Sequence, residues 1–372
     1  MAVVAHINRI STAVPPHDVH AAFVERAASV FADRTQAALF RRMARKSGIE
    51  HRYSCLPSSE LGEAGADTFY RRGQPTSTAE RMRRFELHAP QLAEKAVRAL
   101  LRHEDASRVT HLVITCCTGF SAPGLDIEII RRCGLSPSIE RTIVGFMGCY
   151  AAMNGLKLAR HIVRSEPRAR VLVLNLELCT LHLQESQSLE QMLCFLQFGD
   201  GCAASLVTAE PHGIALDRFA SALVPDTQDL ITWHVRDCGF EMVLSGKVPA
   251  AIQSALHANA AEILDGAPVQ ATDLWAVHPG GRSVLDAVER AFDLAPAALD
   301  VSRDVLRCYG NMSSATVMFV LQRMLEQTDR AANGCAMAFG PGLVAETLLF
   351  STVPRRSAAL PARDMSAVLQ DA

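Results

Sequence analysis

Two stretches of this chain share one spacing, and that spacing restricts the fold more than any bulk property. A short apolar run rich in β-branched residues, His111–Cys116 (HLVITC), ends 33 residues before Cys149, which opens a helical pattern. A second run, Asp273–His278 (DLWAVH), ends 33 residues before Asn311, which precedes another helical pattern. Both pairs are offset by 162 (278 − 116 and 311 − 149), and strand-like Leu172–Glu177 maps under that shift onto Gly334–Phe339. Sequence identity across the offset is negligible, so the pattern is either an internal duplication or a coincidence. A duplication gives an α/β protein of two similar layered halves. Equivalent turns would then face each other and deliver Cys149, His278 and Asn311 to one place.

The remaining elements fit around this frame. The first hundred residues read as mainly helical, with charged amphipathic stretches at Ala37–Lys46 and Arg81–Leu101 and a polar loop around Arg71–Thr78. Leu125–Gly134, Cys149–Val163, Arg282–Phe292 and Ser314–Glu326 have helical spacing. Val171–Glu177, Ala203–Val207, Gly334–Phe339 and Val344–Phe350 read as buried strands. Periodicity is lost after Pro354. The expected organisation is an N-terminal half over 1–210, a C-terminal half over 211–353 and a flexible tail over 354–372.

Composition excludes several classes of function. With 49% apolar and 20% charged residues the chain has material for a large core. The formal net charge of -2, without basic clusters, argues against a nucleic-acid partner. No run approaches the ~20 apolar residues that span a bilayer, so no stable membrane insertion is expected. Met1–Pro16 lacks the basic-then-apolar order of a signal peptide. The eleven cysteines form no CxxC pair and are odd in number, which suits reduced thiols in the cytoplasm. Neither a Walker loop, nor a dinucleotide fingerprint, nor a histidine pair at zinc spacing is present, so no cofactor or metal is indicated.

Three residues stand out chemically. Cys149 lies in VGFMGCYAAM, where Gly145 and Gly148 permit a tight strand-to-helix turn. A thiol there would feel the positive end of the helix dipole, which favours thiolate; its bland alternative is a small core residue. His278, in AVHPGG, ends an apolar strand and is followed by a turn, so its imidazole can project into a cleft and pair with a thiol. Its alternative is a satisfied structural histidine. Asn311, in YGNMSS, reads either as a helix cap or as an amide donor to a developing oxyanion. Ala338–Gly342 (AFGPG) is a backbone device whose glycines let main chain approach a site.

Together these segments resemble the type III polyketide synthases, the chalcone and stilbene synthase family with a thiolase-like αβαβα fold. GFMGCYAAMNGLKLAR, QFGDGCAASLV, WAVHPGG, YGNMSSATVMFVLQRM and FGPGL occur in that family's order and spacing, over about Phe40 to Phe350. The resemblance implies a catalytic triad at Cys149, His278 and Asn311, and a gatekeeper phenylalanine at Phe198. It implies a cavity lined by Cys117, Cys179, His182, Trp233, Phe240, Met242 and Ser313, with Gly340 and Pro341 beside it. Arg42 and Lys46 match a basic entrance that grips CoA phosphates, where a third basic position is Leu39 here. Ala338 replaces a glycine of the glycine-rich motif, and Ala122 stands where a methionine crosses the family's dimer interface.

The implied reaction is decarboxylative condensation of an acyl-CoA starter with malonyl-CoA in a homodimer. GFMGCYAA, ELCTLHLQ and TWHVRDCGFEMVLS look like bacterial members that take fatty acyl starters, so an alkylresorcinol or alkylpyrone is the expected product. Two rivals are an initiating β-ketoacyl-ACP synthase, which uses the same three residue types, and a catalytically silent acyl-CoA-binding homologue.

Overall fold

A computed structural model describes residues 3–61, 68–71, 73–102 and 104–354. The expected tail lies outside these residues, apart from Pro354. The first half comprises β1 (His6–Ala13), β2 (His17–Asp18), α1 (His20–Val30), α2 (Arg34–Lys46), β3 (Tyr53–Ser54) and α3 (Thr78–Leu100). It continues with β4 (His111–Cys116), α4 (Leu125–Cys133), β5 (Glu140–Gly145), α5 (Ala151–Ser165), β6 (Val171–Leu178), α6 (Leu189–Gln197) and β7 (Asp200–Thr208). The second half opens with β8 (Gly213–Leu223), β9 (Ile231–Arg236), β10 (Gly239–Leu244), α7 (Val248–Ile263) and β11 (Leu274–Val277). It ends with α8 (Arg282–Phe292), α9 (Asp300–Tyr309), α10 (Thr316–Gln327), β12 (Asn333–Gly340) and β13 (Val344–Val353).

Nine strands form one mixed sheet in the order β11-β12-β13-β8-β1-β7-β6-β4-β5. Read outward from the centre, β1-β7-β6-β4 on one side repeats β8-β13-β12-β11 on the other. In each series the first three strands pair antiparallel and the last two parallel. β6 and β12 are offset by 162 at both ends (333 − 171 and 340 − 178). The two series join where His6 and Ile7 of β1 face Ala215 and Ile214 of β8.

Alternation of side chains across each strand sorts the core into layers. Leu112 and Ile114 of β4 with Leu172 and Leu174 of β6 pack under α3 and α4. Val113 and Val173 point the other way, onto α5 and α10, which also receive Ala336 and Leu348 of the second series. Trp275, Val277 and Met337 face α7 and α8. The succession is helix, sheet, helix pair, sheet, helix.

One expectation fails at the N-terminus. His6–Ala13 lies in a region read as mainly helical, yet β1 is a central strand. HINRISTA carries no apolar run; its ladder partners, Cys202 to Thr208, lie some two hundred residues away, so tertiary pairing decides it.

Candidate active site

The C-terminal ends of β5 and β11 bring the chemistry together. After β5 the chain turns through Phe146 (φ 55°) and Gly148 (φ 74°) into a short 3-10 turn that carries Cys149 directly ahead of α5. Gly148 is required twice over: its φ is left-handed, and a Cβ there would come within 2.3 Å of Pro341 Cδ. Gly340 has the same sense, since a Cβ would lie 2.7 Å from the Tyr150 ring and 3.3 Å from the Cys149 nitrogen. The AFGPG segment thus lets the end of β12 press against the turn that carries the thiol.

His278 follows β11 and is 1% exposed, and neither ring nitrogen has a hydrogen-bond partner among the described residues. Asn311 comes from the loop between α9 and α10. Its Oδ1 accepts from the Ser313 N–H (2.8 Å) in a local turn, and its Nδ2 lies 3.4 Å from the Gly280 carbonyl. The caps of the helical turns that follow are Met312 and Ala315, so Asn311 is not the helix cap. Asn311 and Ser313, the latter held at φ 48°, both favour the Cys149 thiolate.

These groups line one cavity. Cys149, His278, Asn311, Phe198, Cys117, Cys179, His182, Trp233, Met242, Ser313, Gly340 and Pro341 all contribute to its walls. Phe198 is tethered to the Asn311 loop, because Gly199 N donates to the Asn311 carbonyl (2.9 Å) and Asn311 N donates to the Gln197 carbonyl (2.7 Å). The β9–β10 hairpin closes one side, where the Trp233 indole donates to the Cys117 carbonyl at 2.8 Å.

Three expected positions lie elsewhere. Phe240 is fully buried behind the wall, stacked on His182 with ring centres 4.0 Å apart. Arg42 and Lys46 are exposed on α2 and line none of the cavities found among the described residues. Arg282, which the sequence reading missed, joins them: its Nη1 lies 3.4 Å from the Lys46 carbonyl, at the start of the helix that follows the His278 turn. Glu177 was missed as well. It is fully buried, with Oε1 accepting from Ser314 Oγ (2.6 Å) and Oε2 from the Cys117 N–H and Thr118 Oγ1 (both 2.9 Å). The available signal was a carboxylate near the end of a mostly apolar strand, VLVLNLE.

Electrostatics revise the expected role of the helix dipole. Burial pushes the Cys149 thiol up to about 11 and pulls the His278 imidazole down to about 3, although Ser313 and Asn311 hydrogen bonds favour the thiolate. A thiol raised from its ordinary 9.0 opposes ionisation by roughly 3 kcal/mol, and a helix terminus typically returns ~0.3–1 kcal/mol. The dipole does not suffice. Moving the thiol proton to His278 creates both charges at once, and even ~4 kcal/mol of attraction at ~4 Å and an effective dielectric of ~20 falls short of the ~11 kcal/mol separating a thiol at about 11 from an imidazole at about 3. The resting site therefore holds a thiol and a neutral imidazole.

His182 has a different character. Its Nε2–H donates to the Thr118 carbonyl (2.7 Å), its Nδ1 accepts from Phe240 N (3.2 Å), and burial takes its pKa to about 3. It is a neutral wall.

Models of the chalcone and stilbene synthases match the chain twice, the N-terminal domain over residues 3–211 and the C-terminal domain over 216–354. With the layered fold, these matches define a condensing acyltransferase of the thiolase-like class. The chain is 34% identical over 368 residues to the alpha-pyrone synthesis polyketide synthase-like Pks18 of Mycobacterium tuberculosis, covering 95% of this chain and 92% of that one. The crystal structure of PKS-I from the brown alga Ectocarpus siliculosus superposes with a TM-score of 0.87 at 27% identity, covering 95% and 99% of the two chains. The C-terminal type III polyketide synthase domain of Steely1, a type I/III hybrid from Dictyostelium, gives 0.86 at 25% identity, covering 94% and 99%. This chain belongs to the chalcone and stilbene synthase family and is a type III polyketide synthase.

Proposed function

We propose that the enzyme primes Cys149 with an acyl group from a CoA thioester, fatty acyl by preference, and extends it with malonyl-CoA to an alkylpyrone or alkylresorcinol. The observation that carries this reading is one apolar cavity in which a thiol, a carboxamide and an imidazole without a hydrogen-bond partner among the described residues meet. The pyrone is the favoured product, since the relative Pks18 is described by alpha-pyrone synthesis.

The thiolate of Cys149 attacks the starter thioester and displaces CoA. Malonyl-CoA follows, and its thioester oxygen accepts from the neutral His278 N–H and the Asn311 amide. The bond to the terminal carboxylate breaks, carbon dioxide leaves, and the electron pair becomes an enolate stabilised by those two donors. Each such donor is typically worth roughly 3–4 kcal/mol. The enolate attacks the Cys149 thioester carbon and the sulfur departs as thiolate. Phe198 walls the carbanion from water. The exposed cations Arg42, Lys46 and Arg282 are the proposed holders of the CoA phosphates.

The wider reading is a cytoplasmic homodimer built from a 1–210 half and a 211–353 half. All eleven cysteines are free, no described helix is long and apolar enough to cross a membrane, and the outer edge of β5 is unpaired, with Ile143 49% exposed. An unpaired, partly apolar edge is a surface that a second copy can cover.

The test is incubation with malonyl-CoA and a panel of acyl-CoAs, with products weighed by mass spectrometry. The starter acid plus two or three C2H2O units is expected, less water for a pyrone, or three units less water and carbon dioxide for a resorcinol. Extension by malonyl-ACP to the exclusion of malonyl-CoA would move the enzyme to the β-ketoacyl-ACP synthases.

A further inference from the structure

Helix α2 has two faces with different fates. Ala37, Phe40 and Ala44 are buried against Met192, Phe195 and Leu196 of α6. The opposite face is open. It carries Arg34, Arg42, Arg45 and Lys46, and the helix holds no carboxylate. Among these cations Leu39 and Met43 are 42% and 39% exposed. They stand one turn apart, so they form a single apolar spot with Arg42 and Lys46 beside it.

The charge of this face is unmet. Arg41 pairs with Glu25 at its edge (2.9 Å), whereas Arg34, Arg42, Arg45 and Lys46 form no ion pair among the described residues. The neighbouring carboxylates are already held. Asp33 caps α2 by accepting from Thr35 N, Glu50 pairs with Arg307 (2.8 Å), and Asp286 pairs with Arg303 (2.8 Å).

The face also lies one layer outside the catalytic cavity. Phe195 of α6, on which α2 rests, and Phe198, which follows α6, both line that cavity. Ile49, just past the end of α2, belongs to the same packed cluster as the cavity residues Val248, Ile252 and Val284. The phosphates of a free CoA use the cations and leave the apolar spot unused. An acidic protein surface uses both, because charge steers the encounter and apolar contact holds it. A lipid surface gains little here, since the helix has no exposed aromatic ring and only two half-exposed apolar side chains to insert. With 13 residues, α2 is about 20 Å long, which suits a small, transient contact.

We propose that the open face of α2 docks an acidic carrier protein that delivers the starter acyl group on a phosphopantetheine arm, the arm that CoA also bears. This rests on the polyketide synthase reading and adds a partner to it. The acyl carbon exchanges the arm's sulfur for Cys149 Sγ, the Cys149 proton ends on the arm's thiol, and no other reactant is consumed. Malonyl-CoA remains the extender.

The experiment measures kcat/KM for lauroyl on a purified bacterial acyl carrier protein and for lauroyl-CoA, with malonyl-CoA as extender in both. It uses the wild type, the Leu39→Gln/Met43→Gln double variant and Arg45→Glu. All three side chains are exposed, so turnover of lauroyl-CoA also reports that each variant is folded. The wild type should use the carrier-bound starter about tenfold better than lauroyl-CoA. Each variant should lower the carrier value about tenfold and leave the lauroyl-CoA value within about twofold. A wild type that does not prefer the carrier overturns the proposal, as does an unchanged carrier value in either variant or an equal fall with both donors. Binding to phosphatidylglycerol vesicles that the double variant loses, while carrier use persists, assigns the face to a membrane and overturns it too. A wild type that makes no product from either donor overturns the synthase reading instead.

Discussion

Replacing Glu177 by Gln tests how the floor of the site is held. Burial raises this carboxyl from 4.5 to about 7, against the opposing pull of hydrogen bonds from Ser314, Cys117 and Thr118. The folded protein therefore binds the proton more tightly than the unfolded chain. Between about pH 4.5 and 7 the unfolded state releases a proton that the folded state keeps, so stability falls as pH rises through this window. The whole effect is about 3 kcal/mol, at 1.36 kcal/mol per pKa unit, and needs no discount for solvent because the side chain is fully buried. Glutamine keeps the shape and the acceptor oxygen without titrating. The assay is guanidinium unfolding of both proteins at half-unit steps from pH 5 to 8. Asp200, raised by burial to about 6, titrates in both and cancels in the difference. The wild type should lose ~2–3 kcal/mol relative to Glu177→Gln across the range. Parallel curves would refute the reasoning.

Three further outcomes are expected. His278→Gln removes the imidazole that can take the Cys149 proton while Ser313 and Asn311 remain, so alkylation of Cys149 by iodoacetamide at pH 7 should slow tenfold or more; an unchanged rate would exclude that role. Asn311→Ala should reduce malonyl-CoA decarboxylation by about 10²–10³ while slowing acylation of Cys149 less, read by single-turnover labelling. Gly148→Ala forces a Cβ to 2.3 Å from Pro341 at φ 74°, so the thermal midpoint should drop by several degrees, with ~1–3 kcal/mol lost; an unchanged midpoint would show that the turn can relax.

Much of the frame was legible because it is local. Val171–Leu174 and Cys335–Phe339 are unbroken apolar runs, and Arg282–Phe292 has clean helical spacing, so the burial of each fixes its type. The common offset of β6 and β12 was visible for the same reason. β1 was not legible, since its residues pair with segments far along the chain. The β9–β10 hairpin was also missed, although Trp233 on it was singled out.

For the site, the residue types and their motifs were enough to nominate Cys149, His278, Asn311 and Phe198. Which neighbours face the cavity was not. Phe240 and His182 stack on each other, and the fold sends one into the wall and the other to its surface. Glu177 draws its meaning from partners supplied by distant segments, and the burial those segments impose sets the protonation of Cys149. Sequence alone determined the buried strands and amphipathic helices, because those follow from side-chain pattern within a few turns of chain, and the motifs nominated the reactive groups. Tertiary structure decided the central strand β1, desolvation and hydrogen-bond partners, because each depends on what other segments place within a few ångströms.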